Sequence, residues 1–129
     1  MSQAASQYAA FARDVAEHGR VWTLRDDGGF PSPKTPDGNR AMPFWSSLSR
    51  VERIIATVTA YAGFQPFEIS WDLFRDKWLP GLERDGLLVG VNWSGPRALG
   101  YDLAPKDVRA RIEHELSNPN ATGNASQVT

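Results

Sequence analysis

The sequence predicts an α+β fold, with about four helices packed mainly on one face of an antiparallel sheet of about five or six short strands. Apolar residues recur at helical spacing in several segments, and strand-type residues alternate in shorter ones. Turn-forming residues lie between neighbouring strands, and tight turns favour antiparallel pairing because parallel strands need a long crossover. Residues 1–116 are expected to form a single domain of ordinary size.

A helix over residues 4–18 is predicted first. Tyr8, Phe11 and Val15 have i, i+3 and i+7 spacing, which places them on one helical face. The helix is expected to end at Gly19, because glycine readily takes the left-handed conformation found after a helix C-terminus.

Three short strands and a loop follow in the prediction. Residues 20–24 alternate with period two in types that suit a half-buried strand. A turn-forming Asp-Asp-Gly-Gly sequence then leads to a second strand at Phe30, and residues 31–39 contain three prolines, so we expect a loop there. Residues 40–45 form the third strand. One face of this sheet is expected to carry four large side chains: Trp22, Phe30, Met42 and Phe44.

In the middle of the chain, the sequence predicts two helices with a strand between them. Ser46 or Ser47 can cap the first helix, and Gly63 is expected to end it. Residues 67–70 alternate as a short strand, and residues 71–84 form the second helix. The apolar stripe of that helix comprises Trp71, Phe74, Trp78 and Leu82.

Pro80 lies inside the second of these helices. Proline has no N–H and clashes with the carbonyl oxygen four residues earlier, which here belongs to Asp76. Two alternatives stay open on the sequence: a kink within one helix, or a division into two helices.

A hairpin and a final helix complete the predicted domain. Strands at residues 87–91 and 98–103 flank a turn that contains glycine and proline. Pro105 suits the first position of a helix that runs to residue 116. Residues 117–129 are polar and have no aromatic side chain or periodicity, so a disordered tail is expected.

Composition excludes several classes of function. Fourteen basic and fifteen acidic residues leave a net charge of −1, so neither nucleic acid nor a membrane surface is an expected partner. No cysteine is present, which excludes disulfides and a thiol nucleophile. The first residues lack the pattern of a secretory signal, and no apolar run approaches the roughly 20 residues that span a bilayer. We therefore expect a cytoplasmic protein.

No cofactor, metal or catalytic set is expected. His18 and His114 are the two histidines, and neither has a second ligand residue at metal-binding spacing. No glycine-rich phosphate loop precedes a helix. Two acidic pairs provide an alternative acid–base site: Asp72 with Asp76 on one helical face, and the pair at residues 26–27.

The five tryptophans divide into two groups. Trp22, Trp71 and Trp78 lie in predicted strands or helices, where burial in the core explains them. Trp45 and Trp93 lie at junctions beside serine, and such surface segments carry binding residues disproportionately. The alternative is that these two indoles plug the ends of the sheet while their N–H groups bond to loop carbonyls. The candidate binding groove comprises Trp45, Ser46, Asn92, Trp93 and Arg97.

Four ordered segments carry a family resemblance: Val21-Trp22-Thr23-Leu24, Pro43-Phe44-Trp45-Ser46, the run from Phe74 to Leu82, and Gly90-Val91-Asn92-Trp93. Together they resemble a bacterial family catalogued as domain of unknown function 2750. The resemblance extends over about residues 8–107. It implies a small single-domain bacterial protein and brings no established activity, cofactor or catalytic residue.

These observations favour a non-enzymatic module that binds a protein or peptide through the candidate groove. Immunity and inhibitor proteins of bacterial conflict systems form a subclass of matching size and character. One alternative is a small-molecule-binding protein or an enzyme with an acidic site. Another is a homodimer whose interface hides the surface aromatic residues.

Overall fold

The computed structural model describes residues 2–118, and this part of the chain contains four helices and five strands. The helices are α1 (Gln3–His18), α2 (Leu48–Thr57), α3 (71–84) and α4 (Pro105–Ser117). The strands are β1 (Arg20–Arg25), β2 (Ala41–Phe44), β3 (Gln65–Ser70), β4 (Leu88–Ser94) and β5 (Leu99–Leu103). The α+β class is confirmed.

The strands form two sheets, which corrects the expectation of one antiparallel sheet. β1 pairs with β3 antiparallel, and the second sheet has the order β2-β4-β5, in which β2 and β4 are parallel. The chain between β2 and β4 contains α2, β3 and α3, and this is the long crossover that a parallel pair requires. Trp22 and Trp45 join the two sheets by exchanging backbone hydrogen bonds of 2.8 and 2.7 Å.

Phe30 lies outside the strands, so the short strand predicted at this position is wrong. Asp26 and Gly29 exchange backbone hydrogen bonds of 3.2 and 3.0 Å, and the turn therefore closes on itself before Phe30. The Phe30 ring instead packs edge-on against Phe67 and Trp78, with ring centroids 5.1 and 5.0 Å away. Side-chain packing, without strand pairing, explains this aromatic residue.

Helix α2 ends at Thr57, six residues before the stop expected at Gly63. Val58 has an extended backbone with φ −99° and ψ 115°, and a short 3₁₀ turn at Thr59–Tyr61 follows it. The three consecutive residues from Thr57 are β-branched, and such residues lose side-chain freedom in a helix. The helical spacing of apolar residues therefore extends beyond the residues that form the helix.

Apolar side chains form two cores, one on each face of the strands. The first core joins the strands to three of the four described helices, α1, α3 and α4, and the second joins them to α2 and the 3₁₀ turn. The first core includes Phe11, Val15, Phe44, Phe74, Val91 and Ile112. The second core includes Leu24, Trp45, Val51, Ile54, Val58 and Trp93.

Trp22 packs against the second core, whereas Met42 and Phe44 belong with the first. The expectation that these three side chains share one sheet face is therefore wrong. Trp22 pairs with Trp45, the residue after Phe44, and directly paired residues point to the same face. A difference of one residue in register moves a side chain to the opposite face of a sheet.

Helix α3 passes through Pro80 by widening into a π-helical turn. The N–H of Leu79 donates to the carbonyl of Phe74, five residues earlier, which is the bonding pattern of a π turn. Leu79 keeps helical backbone angles of φ −62° and ψ −46°. The two alternatives left open on the sequence are thus replaced by a third, a continuous helix made of Trp71–Leu73 (α), Phe74–Trp78 (π) and Leu79–Arg84 (α).

The last helix is slightly longer than the sequence predicts. Helix α4 ends at Ser117, one residue beyond the expected boundary. Residues 119–129, which make up most of the expected disordered tail, lie outside the described residues. Within residues 2–118, no helix has the length and apolar character needed to cross a membrane.

Candidate functional site

A cleft of about 750 Å³ opens between α1, α2 and the turn that joins β4 to β5. Sites for small ligands span roughly 300–1,000 Å³, so this volume is large enough for a bound molecule or a few residues of a peptide. Its lining combines hydroxyl, amide and charged groups with an apolar part of similar extent. The lining residues are Gln3, Gln7, Asp14, Ser47, Ser49, Arg50, Arg53, Ile54, Thr57, Trp93, Ser94, Gly95 and Pro96.

Helix α2 presents polar side chains to the cleft because of where the helix begins. The Ser47 hydroxyl caps it by accepting a hydrogen bond of 3.3 Å from the N–H of Arg50. Arg50, Arg53 and Thr57 then follow at spacings of three and four residues, which keeps them on one side of the helix. Ile54 is only 3% exposed and anchors this side of the helix in the second core.

The side chain of Asn92 links the walls of the cleft from behind. Its Oδ1 accepts from the N–H of Ser46 at 2.9 Å, and its Nδ2 donates to the Ser46 hydroxyl at 3.0 Å and to the carbonyl of Gln7 at 3.2 Å. The Ser46 hydroxyl in turn donates to Asp14 at 2.8 Å. Asn92 and Ser46 are buried, and hydrogen bonds in such surroundings are electrostatically stronger than in water.

An irregularity in β4 brings Asn92 to this position. The register between β4 and β5 shifts between Val91 and Ser94, where two residues on β4 oppose one on β5. Asn92 has a φ of 49°, in the left-handed region that asparagine tolerates better than most residues. The bulge places the amide of Asn92 against Ser46, so that β4 and the start of α2 are held together.

The two junction tryptophans are buried, and the N–H groups of both indoles are bonded. Trp45 has no exposed surface and donates from Nε1 to the carbonyl of Trp93 at 2.9 Å. Trp93 is 4% exposed and donates from Nε1 to Asp102 Oδ1 at 2.8 Å. The Trp93 ring lies so close to Gly90 that a Cβ atom there would fall 2.4 Å from the ring. Trp45 thus adopts the alternative arrangement, that of a plug whose N–H bonds to a carbonyl.

The structure brings four of the five candidate groove residues together, but mostly as a buried support. Trp45, Ser46 and Asn92 lie behind the cleft, which corrects the expectation that they form its surface. Trp93 reaches the lining with a small exposed part. Arg97 is exposed and lies outside the lining. The junctions do not form an open groove, because Trp45 and Trp93 are buried in the second core. Asn92 and Ser46 are bonded to α1.

Sequence reasoning missed the polar residues that α1 and α2 contribute to the cleft. On the sequence, Arg50 and Arg53 belong to an ordinary solvated helix face. Their spacing of three residues, directly after a helix cap, is the one signal that points to them. Gln7 gives no such signal, because its contact with Asn92 joins residues 85 positions apart.

A family model described as protein of unknown function (DUF2750) matches residues 8–112. The chain belongs to this family. The match confirms the resemblance carried by the tryptophan segments, and it spans all five tryptophans. No curated protein and no solved structure gives a significant match to the chain.

The cleft of this DUF2750 protein carries more positive than negative charge. Arg50 donates from Nη1 to Oε1 of Gln7 at 2.6 Å, and an amide oxygen leaves the positive charge in place. The ion pairs among residues 2–118 engage neither Arg50 nor Arg53. Asp14 is the acidic residue of the lining, and its carboxylate accepts the Ser46 hydroxyl.

Asp102 has an unusual environment next to the cleft of this DUF2750 protein. Burial raises the pKa of its carboxyl group, the hydrogen bond from the Trp93 N–H lowers it, and the charge of Asp37 raises it further. The direction of the net change in pKa is upward. Asp102 therefore holds the Trp93 ring with a carboxylate that is partly desolvated.

The acidic pairs considered on the sequence form local surface contacts. Arg75 lies 3.5 Å from Asp72 and 2.7 Å from Asp76, and its hydrogen bond lowers the pKa of Asp76. Asp26 accepts from the N–H of Gly28 at 2.8 Å, as in a local turn. In the described part of the chain, no three His, Asp or Glu side chains are grouped so as to hold a metal ion.

Proposed function

We propose that this protein is a non-enzymatic interaction module, and that a segment of another protein binds in the cleft between α1 and α2. The observation that carries the proposal is the hydrogen-bond network of Asn92, Ser46 and Asp14, which is buried at Asn92 and Ser46 and reaches the cleft lining at Asp14. A site that is rigid before its ligand arrives loses less conformational freedom on binding.

The composition of the cleft lining supports a protein ligand. Pro96 and the small exposed parts of Ile54 and Trp93 contribute apolar surface, and serine, glutamine and arginine side chains contribute hydrogen-bonding groups. Protein interfaces combine an apolar centre with polar groups in this way, and arginine is enriched in them.

An acid–base enzyme is less well supported. The carboxylates of Asp72 and Asp76 are 81% and 51% exposed and share Arg75, so they lack the desolvated environment that tunes a catalytic acid. We also propose a cytoplasmic location, which the absence of cysteine supports. An immunity or inhibitor protein of a bacterium is a subclass that the small size fits.

The proposal is tested by filling the cleft. Ser49 is an exposed lining residue, so Ser49→Trp places an indole in the cleft without removing any core side chain. Glu52→Trp is the matched control, because Glu52 lies on the same helix, is exposed and is outside the lining. Wild type and both variants are immobilised, proteins captured from a lysate of the source organism are identified, and each is purified for calorimetric titration.

A partner that uses the cleft is expected to bind wild type and Glu52→Trp alike and Ser49→Trp at least about tenfold more weakly. Thermal unfolding of both variants checks that each is folded. If every purified partner binds Ser49→Trp as tightly as wild type, the cleft is not the binding site and the proposal is wrong.

A further inference from the structure

We infer that the segment bound in the cleft is acidic, and that its carboxylates pair with Arg50 and Arg53. This inference rests on the proposed function and adds the chemistry of the partner. It concerns two side chains of α2 that the buried network does not use.

The two arginines are arranged to act together. They are three residues apart on α2, so their side chains leave the helix on neighbouring positions of one side, and both line the cleft. Arg50 is half-buried, and its bond of 2.6 Å to Gln7 Oε1 fixes the direction of the guanidinium group. A guanidinium has five N–H donors, so this one bond leaves others available for a carboxylate.

The charge of this pair is unbalanced within the described chain. Residues 2–118 contain ion pairs at other arginines, namely Arg20, Arg75, Arg84, Arg109 and Arg111. Asp14, the acidic residue of the lining, already accepts the hydroxyl of Ser46, and this one carboxylate leaves the two arginines in excess. An incoming carboxylate would meet two guanidinium groups, each able to form paired charge-assisted hydrogen bonds.

The remaining lining argues for a peptide over a lone anion. Ile54, Trp93 and Pro96 give the cleft an apolar part next to the arginines. A glutamate or aspartate next to an apolar residue in an extended segment would engage both parts. Inorganic phosphate would satisfy the arginines and leave the apolar part of the cleft empty.

The inference is tested with two synthetic peptides, acetyl-Glu-Leu-Glu-Leu-amide and its analogue with glutamine in place of glutamate. Binding to the ¹⁵N-labelled chain is followed by shifts of its amide signals at low salt. The glutamate peptide is expected to shift signals of Gln7, Arg50 and Arg53 and to bind at least about tenfold more tightly than the analogue. Raised salt is expected to weaken it.

Arginine variants make the test specific. Arg50→Gln combined with Arg53→Gln is expected to reduce binding of the glutamate peptide at least about tenfold, and the matched variant Arg84→Gln, on α3, is expected to leave it unchanged. Replacing both arginines with lysine keeps the charge and removes the paired geometry, so intermediate binding is expected.

Three results would overturn the inference. Equal binding of the two peptides would show that charge is not recognised, and loss of binding in Arg84→Gln would show that the surface attracts acid non-specifically. Phosphate that displaces the peptide and shifts the same signals more strongly would assign the site to a free anion.

The proposed function and the inference of an acidic segment can fail independently of each other. A natural partner that is lost with Ser49→Trp but insensitive to both arginine substitutions and to salt would leave the cleft as the binding site and refute the acidic segment. A partner indifferent to Ser49→Trp would refute the cleft itself.

Discussion

The two cores of this protein position their tryptophans by different means. In the second core, Trp45 and Trp93 each donate an indole hydrogen bond to a defined acceptor, and Gly90 leaves room for one placement of the Trp93 ring. In the first core, Trp78 is held by ring packing at centroid distances of 5.0 to 6.1 Å from Phe30, Phe44 and Phe67. Directional bonds specify one arrangement, whereas apolar packing tolerates substitution of similar volume. The more exactly positioned side of the molecule is the one that supports the cleft.

Truncating a tryptophan in each core is expected to change the free energy of unfolding most. Trp45→Ala is expected to lower the free energy of unfolding by about 3–5 kcal/mol, because a fully buried ring and its hydrogen bond are removed together. Trp78→Ala is expected to lower it less, since this ring is half-buried. Urea titration of both variants measures the difference, and an equal loss would remove the distinction between the cores.

A glycine comparison tests how tightly the Trp93 ring is fitted. Gly90→Ala is expected to destabilise the protein by about 1–3 kcal/mol, because the added Cβ falls on the ring and either the ring or the strand must shift. Gly81→Ala, in helix α3, meets only the flexible end of Arg84 at 3.5 Å and is expected to stabilise by about 0.5–1 kcal/mol. Thermal unfolding gives both signs, and a stable Gly90→Ala would mean that the ring is loosely held.

Substitution of Asn92 separates its side-chain bonds from its backbone conformation. Asn92→Gly keeps a residue that accepts a φ of 49° and removes the bonds to Ser46 and Gln7, and a loss of about 1–2 kcal/mol is expected. Asn92→Ala is expected to lose about 1 kcal/mol more, because alanine is strained in this conformation. If both variants unfold at the same urea concentration, the left-handed backbone contributes nothing.

The smallest expected change in stability concerns Asp102, the acceptor of the Trp93 N–H. The pKa of Asp102 is raised in the folded protein, mainly by burial, so its contribution to stability is present at low pH and is lost as the pH rises through the folded pKa. Asp102→Asn cannot titrate at this position, and it is expected to gain stability relative to wild type as the pH rises from below the ordinary aspartate pKa of 3.8 through the raised pKa of the folded protein. The group is partly exposed, so the change should stay below about 1 kcal/mol. A difference that moves the other way with pH would contradict the assigned direction.

Local spacing is sufficient to predict most of the elements. Tyr8, Phe11 and Val15 alone indicate α1, and Pro105 marks the start of α4 correctly. These signals work because helix caps and periodic apolar faces depend on residues close together in the chain.

Pairing and the site depend on contacts between distant parts of the chain. The parallel alignment of Ala41 with Leu88 joins strands separated by two helices and another strand, so nothing near either strand specifies it. Trp45 is buried in the second core by side chains of β1, α2 and the 3₁₀ turn, and Asn92 reaches Gln7 across 85 positions. The sequence therefore indicates which residues matter near the cleft, but their burial can be read only from the fold.

The backbone pair of Trp22 and Trp45 is an isolated bridge between two sheets that share both apolar cores. Each sheet has its own ladder, β1 with β3 and β2 with β4 and β5, and this pair joins the ladders with two backbone hydrogen bonds. The amide protons of these two residues should then exchange with deuterium earlier than those inside either ladder. Local opening of this pair would loosen the structure behind the cleft, so the exchange rate at Trp45 would measure the stability of that support.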